Sequence, residues 1–389
     1  MMRVFSAALL ALLVLPAAAG AQSLFSTRGL GVPVEPVDAR ARALGGIGVG
    51  MLGWTGSMVN PAEAAGVYRR GIAAAIQPSR RSVEFDGETD VLGGTRFPLI
   101  RAVLPFGERV GLAAGYGGFL DQSWAVASET TVPIGGQQLR AVDLIESNGG
   151  VAQARLDIAY LVTPSLGVGV GAGMYTGRLE RIVSRSFPDT ALIEGFRTVA
   201  AWNYSAPSLS VGAWWEPLPI ARVGAAVTWA GELRGEPEEG TTQGVRVDLP
   251  LQFAAGASGQ LAPGLMAVAG ARWAGWSSAA NGFDDPAIAA DTWEVGGGLE
   301  WGGGRALGRP MPLRLGARYA RLPFRVEGAT PTEWALALGV GSLLARDEFG
   351  PRAVVDAAIE RGRRGGDSGA SGLTENFWRF TISMSLFGQ

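Results

Sequence analysis

Apolar and polar residues alternate along most of this chain. In "SLGVGVGAGMY" the apolar side chains fall on one face and glycines on the other, and in "WRFTISMSLF" large apolar residues alternate with arginine, threonine and serine. A period of two predicts β-strands. About fourteen such segments occur, and each is long enough to cross a bilayer, which takes a tilted strand of roughly 9–11 residues. The predicted strands are 70–84, 94–105, 109–125, 150–162, 166–180, 200–215, 220–233, 246–260, 265–277, 291–301, 312–324, 332–344, 352–361 and 375–387.

Several predicted strands begin with a proline and end with an aromatic residue, as in "PFGERVGLAAGY" and "PGLMAVAGARW". This pattern indicates strands that rise from tight turns and end at the far interface of a lipid band. The other connections are polar and long, and we expect loops at 127–149, 181–198, 234–244, 277–292 and 361–375. Short turns at one end and long loops at the other are typical of outer-membrane barrels, in which the short turns are periplasmic.

The start of the chain has the three parts of a secretory signal peptide. A basic residue, Arg3, is followed by an apolar run over residues 7–15 and by small residues up to Ala21. This apolar run is too short to cross a bilayer as a helix. We therefore predict a signal peptide at 1–21, an N-terminal segment without alternation at 22–66, and an antiparallel transmembrane β-barrel at 67–389. The predicted protein is all-β and lies in the bacterial outer membrane.

The composition excludes several classes of chemistry. The chain contains no cysteine, no histidine and no lysine. Because Ser-His and Cys-His nucleophile pairs and the usual zinc ligands are therefore absent, we expect no enzyme, no metal site and no cofactor. The formal net charge of −2 gives no reason to expect a nucleic-acid partner. The 59 glycines stand among alternating apolar residues, which indicates closely packed, curved strands.

One stretch, "GIGVGMLG", fits the dinucleotide-binding fingerprint G-x-G-x-x-G through Gly48, Gly50 and Gly53. That fingerprint binds a pyrophosphate only where a strand leads into it and a helix follows it. Here the preceding residues contain prolines and make a poor buried strand, while Gly56 and Pro61 follow too soon for a long helix. We therefore interpret these glycines as turn residues and not as a nucleotide site.

The run "ARALGGIGVGMLGWTGSMVNPAEAAG" closes in Asn60, Pro61 and Ala62. It resembles the N-terminal region of FadL-type outer-membrane transporters of long-chain fatty acids and other hydrophobic compounds, and "LRLGARYARLPF" adds to the likeness. The resemblance implies that residues 22–66 form a hatch that plugs a fourteen-stranded barrel. The hatch motif then consists of Gly48, Gly50, Gly53, Asn60, Pro61 and Ala62. PorV-like barrels of a protein secretion system carry the same motif.

Strand parity predicts which charged residues face the lumen. In "PLRLGARY" the apolar residues face lipid, so the two arginines between them face inward. A charge on the lipid face costs about 2–4 kcal/mol at the bilayer midplane, which favours inward placement. We predict an ion-paired network that fixes the barrel and anchors the hatch. Its predicted members are Arg155, Asp157, Arg314, Arg318, Glu333, Arg352, Asp356 and Glu360.

Three functions remain open at this stage. The resemblance favours a channel through which hydrophobic small molecules, such as long-chain fatty acids, diffuse passively past the hatch. The second function is a PorV-like docking or assembly component of a protein secretion system, and the third is a general porin with a water-filled lumen. The expected partners are a hydrophobic small-molecule ligand, outer-membrane lipid and the outer-membrane assembly machinery.

Overall fold

The computed structural model describes residues 23–85, 87–189, 193–239, 243–283, 285–306, 309–326, 328–348, 350–365 and 372–388. Fourteen antiparallel strands form the wall of a closed barrel, which confirms the predicted fold class. The wall strands are β1 (Gly71–Phe85), β2 (Glu88–Phe106), β3 (Val110–Asp121), β4 (Gln137–Thr163), β5 (Leu166–Ser186), β6 (Phe196–Leu218), β7 (Ala221–Ala230), β8 (Gln252–Ala262), β9 (Leu265–Ala274), β10 (Thr292–Trp301), β11 (Leu313–Arg321), β12 (Thr332–Asp347), β13 (Gly350–Gly365) and β14 (Thr374–Phe387). The pairing of β1 with both β2 and β14 closes the barrel.

Burial alternates along the wall strands as the sequence pattern predicts. In β14, Trp378 and Phe380 are exposed on the outside, while Arg379 and Thr381 between them are buried inside. Exposed tryptophans and other large apolar residues continue this belt around the barrel. In a membrane this belt faces lipid. Following the same rule, the end with the short turns is the periplasmic end, and the opposite end is the outer end.

Three of the connections that we expected to be polar loops contain strand over half or more of their length. Most of residues 127–149 belong to an outer strand, Trp124–Ile134, and to the first part of β4. Residues 181–186 continue β5, residues 196–198 begin β6, and Glu232–Glu239 pairs with the outer part of β6. The expectation of loops was wrong because polar side chains on both faces of these outer strands leave no apolar alternation to detect.

Helical structure in the described part of the chain is limited to short pieces. They are the 3₁₀ turns Leu24–Thr27, Pro61–Ala64, Trp276–Gly282 and Pro286–Ile288 and the α-helix Ala39–Ala43. Among the described residues, no helix is long and apolar enough to span a bilayer. Two of these 3₁₀ turns lie in the connection at 277–292, whose last residue, Thr292, begins β10.

Residues 23–66, here called the N-terminal segment, lie inside the barrel wall. At the outer end, the Ser23 hydroxyl donates to the Glu375 carboxylate at 2.8 Å. The helix Ala39–Ala43 contacts β11 to β14, whereas the turn Pro61–Ala64 contacts β3 to β6 on the other side. Asp38 caps the helix by accepting a hydrogen bond from the Ala41 N–H at 2.8 Å. The segment therefore crosses the lumen and touches opposite walls.

Candidate functional site

Asn60 fixes the end of the N-terminal segment to the wall. Its side-chain oxygen accepts a hydrogen bond from the Ala62 N–H at 2.9 Å, and its amide donates to the Ala213 carbonyl of β6 at 3.0 Å. Pro61 begins the 3₁₀ turn, a position at which its missing N–H leaves no hydrogen bond unmade. The Trp214 indole donates to the Ala62 carbonyl at 2.9 Å. Asn60, Pro61 and Ala62 therefore form one turn that is held against one side of the lumen.

The wall beneath this turn presents backbone in place of side chains. Gly111, Gly169 and Gly212, here called the glycine seat, lie on β3, β5 and β6. A Cβ atom on Gly169 would stand 2.7 Å from the Ala62 Cα. Cβ atoms on the other two glycines would collide with the Ala64 carbonyl and the Asn60 side-chain oxygen. The turn reaches the wall because these positions lack side chains.

We expect Gly169→Ala to raise the ion conductance of the protein in planar bilayers severalfold. The added methyl group must push the turn 60–64 off the wall, which opens a leak. Gly259→Ala on β8 is the matched control, since its Cβ would meet nothing nearer than the Ile220 carbonyl at 3.7 Å. Equal conductance of the two variants would mean that the turn does not seal the lumen.

The glycines of the fingerprint also form turns. Gly48, Gly50 and Gly53 have φ angles of 72°, 67° and 80°, which residues with a Cβ rarely adopt. A Cβ on Gly50 would collide with the Gly256 carbonyl of β8, and one on Gly48 would lie 2.6 Å from the Ser57 hydroxyl. In the described part of the N-terminal segment, this stretch belongs to no strand-turn-helix unit. The glycines thus let the chain turn tightly against the wall.

Glu333 is the centre of a buried ionic network on the inner wall. Its carboxylate contacts Arg318 and Arg364 directly and lies 3.6 Å from Arg379. Glu360 pairs with Arg318 at 3.1 Å and with Arg379 at 3.4 Å. All five side chains are buried. Because each charge has partners of the opposite sign, the network joins β11, β12, β13 and β14 without leaving an isolated charge.

Arg314 and Asp356 belong to a second group of inward-facing charges. Arg314 donates to Asp356 at 2.6 Å and to Glu300 at 2.7 Å. Glu300 also accepts from Arg40 of the N-terminal segment at 2.9 Å. This wall group is therefore one of the points at which the segment is anchored.

Arg155 and Asp157 form a third group, on β4. Their side chains are 2.6 Å apart, and Asp157 also lies 3.3 Å from Arg101 of β2. Both arginines donate to backbone carbonyls of the N-terminal segment, Arg155 to Met58 and Arg101 to Ser57. The group fixes the segment immediately before the Asn60 turn.

The N-terminal segment contributes charges of its own. Glu35 and Arg42 are 2.9 Å apart, and Arg42 lies 3.7 Å from Glu360 of the Glu333 network. Burial by itself raises the pKa of Glu35, but the positive charges of Arg42 and Arg318 outweigh it. The pKa of Glu35 therefore lies well below its usual range. Glu35 and Arg42 of the segment thus extend the Glu333 network of the wall.

Arg352 differs from the other residues predicted to face the lumen. It lies at the periplasmic end of β13, where its side chain is 43% exposed and 3.7 Å from Asp347. The strand has passed the lipid belt there, so its inward side already reaches water. Arg364 and Arg379, which the sequence analysis did not select, carry the same inward parity as Glu360 and do join the network.

The wall is interrupted towards its outer end. From the periplasmic turn outward, β2 pairs with β3 only as far as Leu99, which faces Gly117. Beyond that point β2 keeps its bonds to β1, but in the described part of the chain no pairing joins residues 88–98 to the outer strand Trp124–Ile134. Pro98, which has no N–H to donate, stands where the strands separate. We call this gap the lateral opening.

The N-terminal segment covers the lateral opening from inside. Val32 pairs with Asp121 of β3, and the Val34 N–H donates to the Phe119 carbonyl at 2.8 Å. From the other side of the opening, Arg96 of β2 pairs with Asp121 at 2.6 Å. The opening is thus lined by a strand edge, a buried ion pair and the backbone of the segment.

A cavity of about 150 Å³ lies beside the lateral opening, in the outer half of the lumen. On one side Phe119 packs against Tyr175 and Trp276, with ring centroids 4.5 Å and 6.1 Å away. On the other side the cavity reaches the ionic network at Arg318 and Glu333. A cavity of roughly 150 Å³ accommodates a molecule the size of benzene. The lining of this cavity is aromatic on one side and ionic on the other.

The fold is similar to that of solved outer-membrane transport proteins. A FadL homologue from Pseudomonas aeruginosa has a TM-score of 0.61 at 14% identity, covering 91% of this chain and 99% of its own. The toluene transporter TodX of P. putida has 0.57 at 13%, covering 92% and 99%. The CymD monoaromatic hydrocarbon channel has 0.52 at 16%, covering 92% and 98%. The chain therefore has the FadL-type fold.

In sequence, the family model described as BamG matches residues 1–218, which is more than half of the chain. The match ends at the last residue of β6 and therefore includes the whole N-terminal segment and six wall strands. Among curated proteins, none matches the sequence significantly.

Proposed function

This chain belongs to the BamG family, and from that premise and its FadL-type fold we propose that it is a channel through which hydrophobic small molecules diffuse passively. In this proposal residues 22–66 are the hatch, 67–389 form the barrel in the outer membrane, and 1–21 are a cleaved signal peptide. Insertion of the barrel by the outer-membrane assembly machinery is part of the same proposal.

The lateral opening carries the proposal. A hydrophobic compound that enters the outer half of the lumen meets the aromatic side of the cavity at Phe119, next to the gap between β2 and β3. From there it can leave sideways into the lipid, where apolar compounds are most stable. A general porin, by contrast, requires a water-filled lumen, and the N-terminal segment occupies this one.

The size of the cavity limits which compounds it can hold. Compact apolar compounds such as monoaromatic hydrocarbons fit the volume of about 150 Å³ without rearrangement. A long-chain fatty acid needs more room, so its passage requires the cavity-lining part of the hatch, residues 33–36, to move. We therefore propose that monoaromatic compounds pass more readily than long-chain fatty acids.

Uptake by cells tests this function. Cells that lack the gene should accumulate radiolabelled toluene severalfold more slowly than cells that carry it, and a labelled sixteen-carbon fatty acid should show the smaller difference. A labelled polar solute of similar mass, such as glycerol, serves as the control and should enter both strains equally. Identical toluene uptake by the two strains would refute the transport function.

A second candidate function is a docking or assembly component for secreted proteins. It is favoured by the way in which the hatch is fixed, because ion pairs to Glu300 and Glu360, hydrogen bonds from wall arginines to its backbone and the glycine seat leave it little freedom. A barrel whose hatch is held rigidly suits the role of a docking scaffold. In that case loss of the gene should change the set of proteins at the cell surface, measured by surface biotinylation and mass spectrometry, while toluene uptake stays unchanged.

A further inference from the structure

Three arginines stand together on the lipid-facing side of the wall near its outer end. Arg361 of β13 and Arg80 of β1 both pair directly with Trp378 of β14, one on each side. Arg363 lies in the next row outward, between Trp334 of β12 and an asparagine of β14. Since directly opposite residues of neighbouring strands have Cβ atoms about 5 Å apart, the three guanidinium groups belong to one patch.

This patch lies at the depth of the outer membrane interface. Trp378, which is 45% exposed, is the last large apolar residue on the outward face of β14 before the strand leaves the lipid belt. Leu336 lies beside Arg361 in the same row, and Leu338 and Phe380 continue the exposed apolar surface in the row below it. Tryptophans at such positions mark the level of the lipid head groups. Cations placed there meet head groups and not acyl chains.

The three guanidinium groups have N–H donors that make no hydrogen bond to the described residues. Arg361 lies over the Trp378 ring, with Cζ 5.4 Å from its centroid, and gives one hydrogen bond to the Phe377 carbonyl at 3.2 Å. Among the described residues, no hydrogen bond or ion pair involves the side chains of Arg80 and Arg363. The first acidic residue on this face of β1 is Glu84, four residues beyond Arg80 and therefore about 13 Å along the strand.

We propose that Arg80, Arg361 and Arg363 form a binding site for a phosphorylated glycolipid of the outer leaflet, whose phosphoryl group they hold at the barrel surface. Guanidinium groups bind phosphate oxygens through paired hydrogen bonds. The cation stacked on Trp378 is oriented by the ring, and the apolar surface below it accommodates the acyl chains of the same molecule. A free phosphate ion would use the arginines but not this apolar surface, so the site is assigned to a lipid.

Native mass spectrometry of the purified barrel in detergent tests the site. The probes are bisphosphorylated lipid A, the same lipid after enzymatic removal of its phosphates, and inorganic phosphate. The test variant carries Arg80→Gln, Arg361→Gln and Arg363→Gln. The matched control carries Arg140→Gln, Arg178→Gln and Arg234→Gln, which removes the same charge from exposed positions on the outer strands.

Bisphosphorylated lipid A should bind the wild type and the control variant at least about tenfold more tightly than it binds the test variant. It should also bind the wild type more tightly than the dephosphorylated lipid does. Equal binding to the wild type and the test variant, equal binding of the two lipids, or saturation by inorganic phosphate at the same concentration would each overturn the proposal. Should the triple variant fail to fold, Arg80→Gln and Arg363→Gln are measured singly, and each must weaken binding.

Discussion

Deletion of residues 23–66 should turn the closed barrel into an open pore, with an increase in ion conductance of at least about tenfold, because fourteen strands enclose a lumen too wide for wall side chains to fill. The wall itself should persist, since its hydrogen bonds run from strand to strand. Most inner-wall charges also pair with one another, as Arg318 does with Glu333 and Arg155 with Asp157. Single-channel recording in planar bilayers measures the change.

The control for this deletion is a shortened outer hairpin, in which residues 128–143 are replaced by two glycines. These residues belong to the hairpin formed by the outer strand Trp124–Ile134 and β4, and they lie beyond the lipid belt. The control should insert, migrate differently on a gel before and after boiling, and keep the low conductance of the wild type. If the deletion of 23–66 left the conductance equally low, the N-terminal segment would not be a plug.

Glu333→Ala should lower the free energy of unfolding by about 3–5 kcal/mol, because removal of one member of a buried ionic group leaves uncompensated charge behind. Glu333 contacts Arg318 and Arg364 and lies close to Arg379. Its loss therefore removes one negatively charged partner from three buried arginines. The urea concentration at which the purified barrel loses its heat-modifiable gel mobility reports the change.

Glu129→Ala is the matched control for this substitution. Glu129 also pairs with an arginine, Arg140, but the two side chains are 64% and 50% exposed. Exposed pairs contribute at most about 1 kcal/mol, so the control should unfold close to the wild-type urea concentration. A similar loss in both variants would mean that the Glu333 network is no more important than a surface ion pair.

The wall was predictable from the sequence because lipid outside and a polar, glycine-rich lining inside impose strict alternation. The same reasoning failed for the outer strand Trp124–Ile134 and the first part of β4. These strands stand in water on both sides, so "ASETTVPI" contains no apolar face. Their strand structure comes from pairing with neighbours, which the pattern of a single segment does not reveal.

Parity alone predicts that these charged residues face inward, since a lipid-facing charge is so costly. It did not reveal which charges meet, because pairs such as Arg314 and Asp356 come from strands that are separated by another strand. The lateral opening did leave a signal, Pro98 in the middle of a predicted strand. A proline there removes a ladder hydrogen bond and marks a place where pairing can end.

The central claim is that hydrophobic compounds pass the hatch where it covers the lateral opening. Pro33 of the N-terminal segment and Leu120 of β3 are directly paired, at a spacing that a disulfide can bridge, and the chain has no cysteine of its own. Pro33→Cys with Leu120→Cys therefore gives a reversible lock, and the two single variants are its controls. Toluene uptake should be severalfold lower in oxidised cells carrying the double variant, return on reduction, and stay constant in the controls. Uptake that is equal in the oxidised and reduced forms, with the disulfide verified by mass spectrometry, would contradict the account.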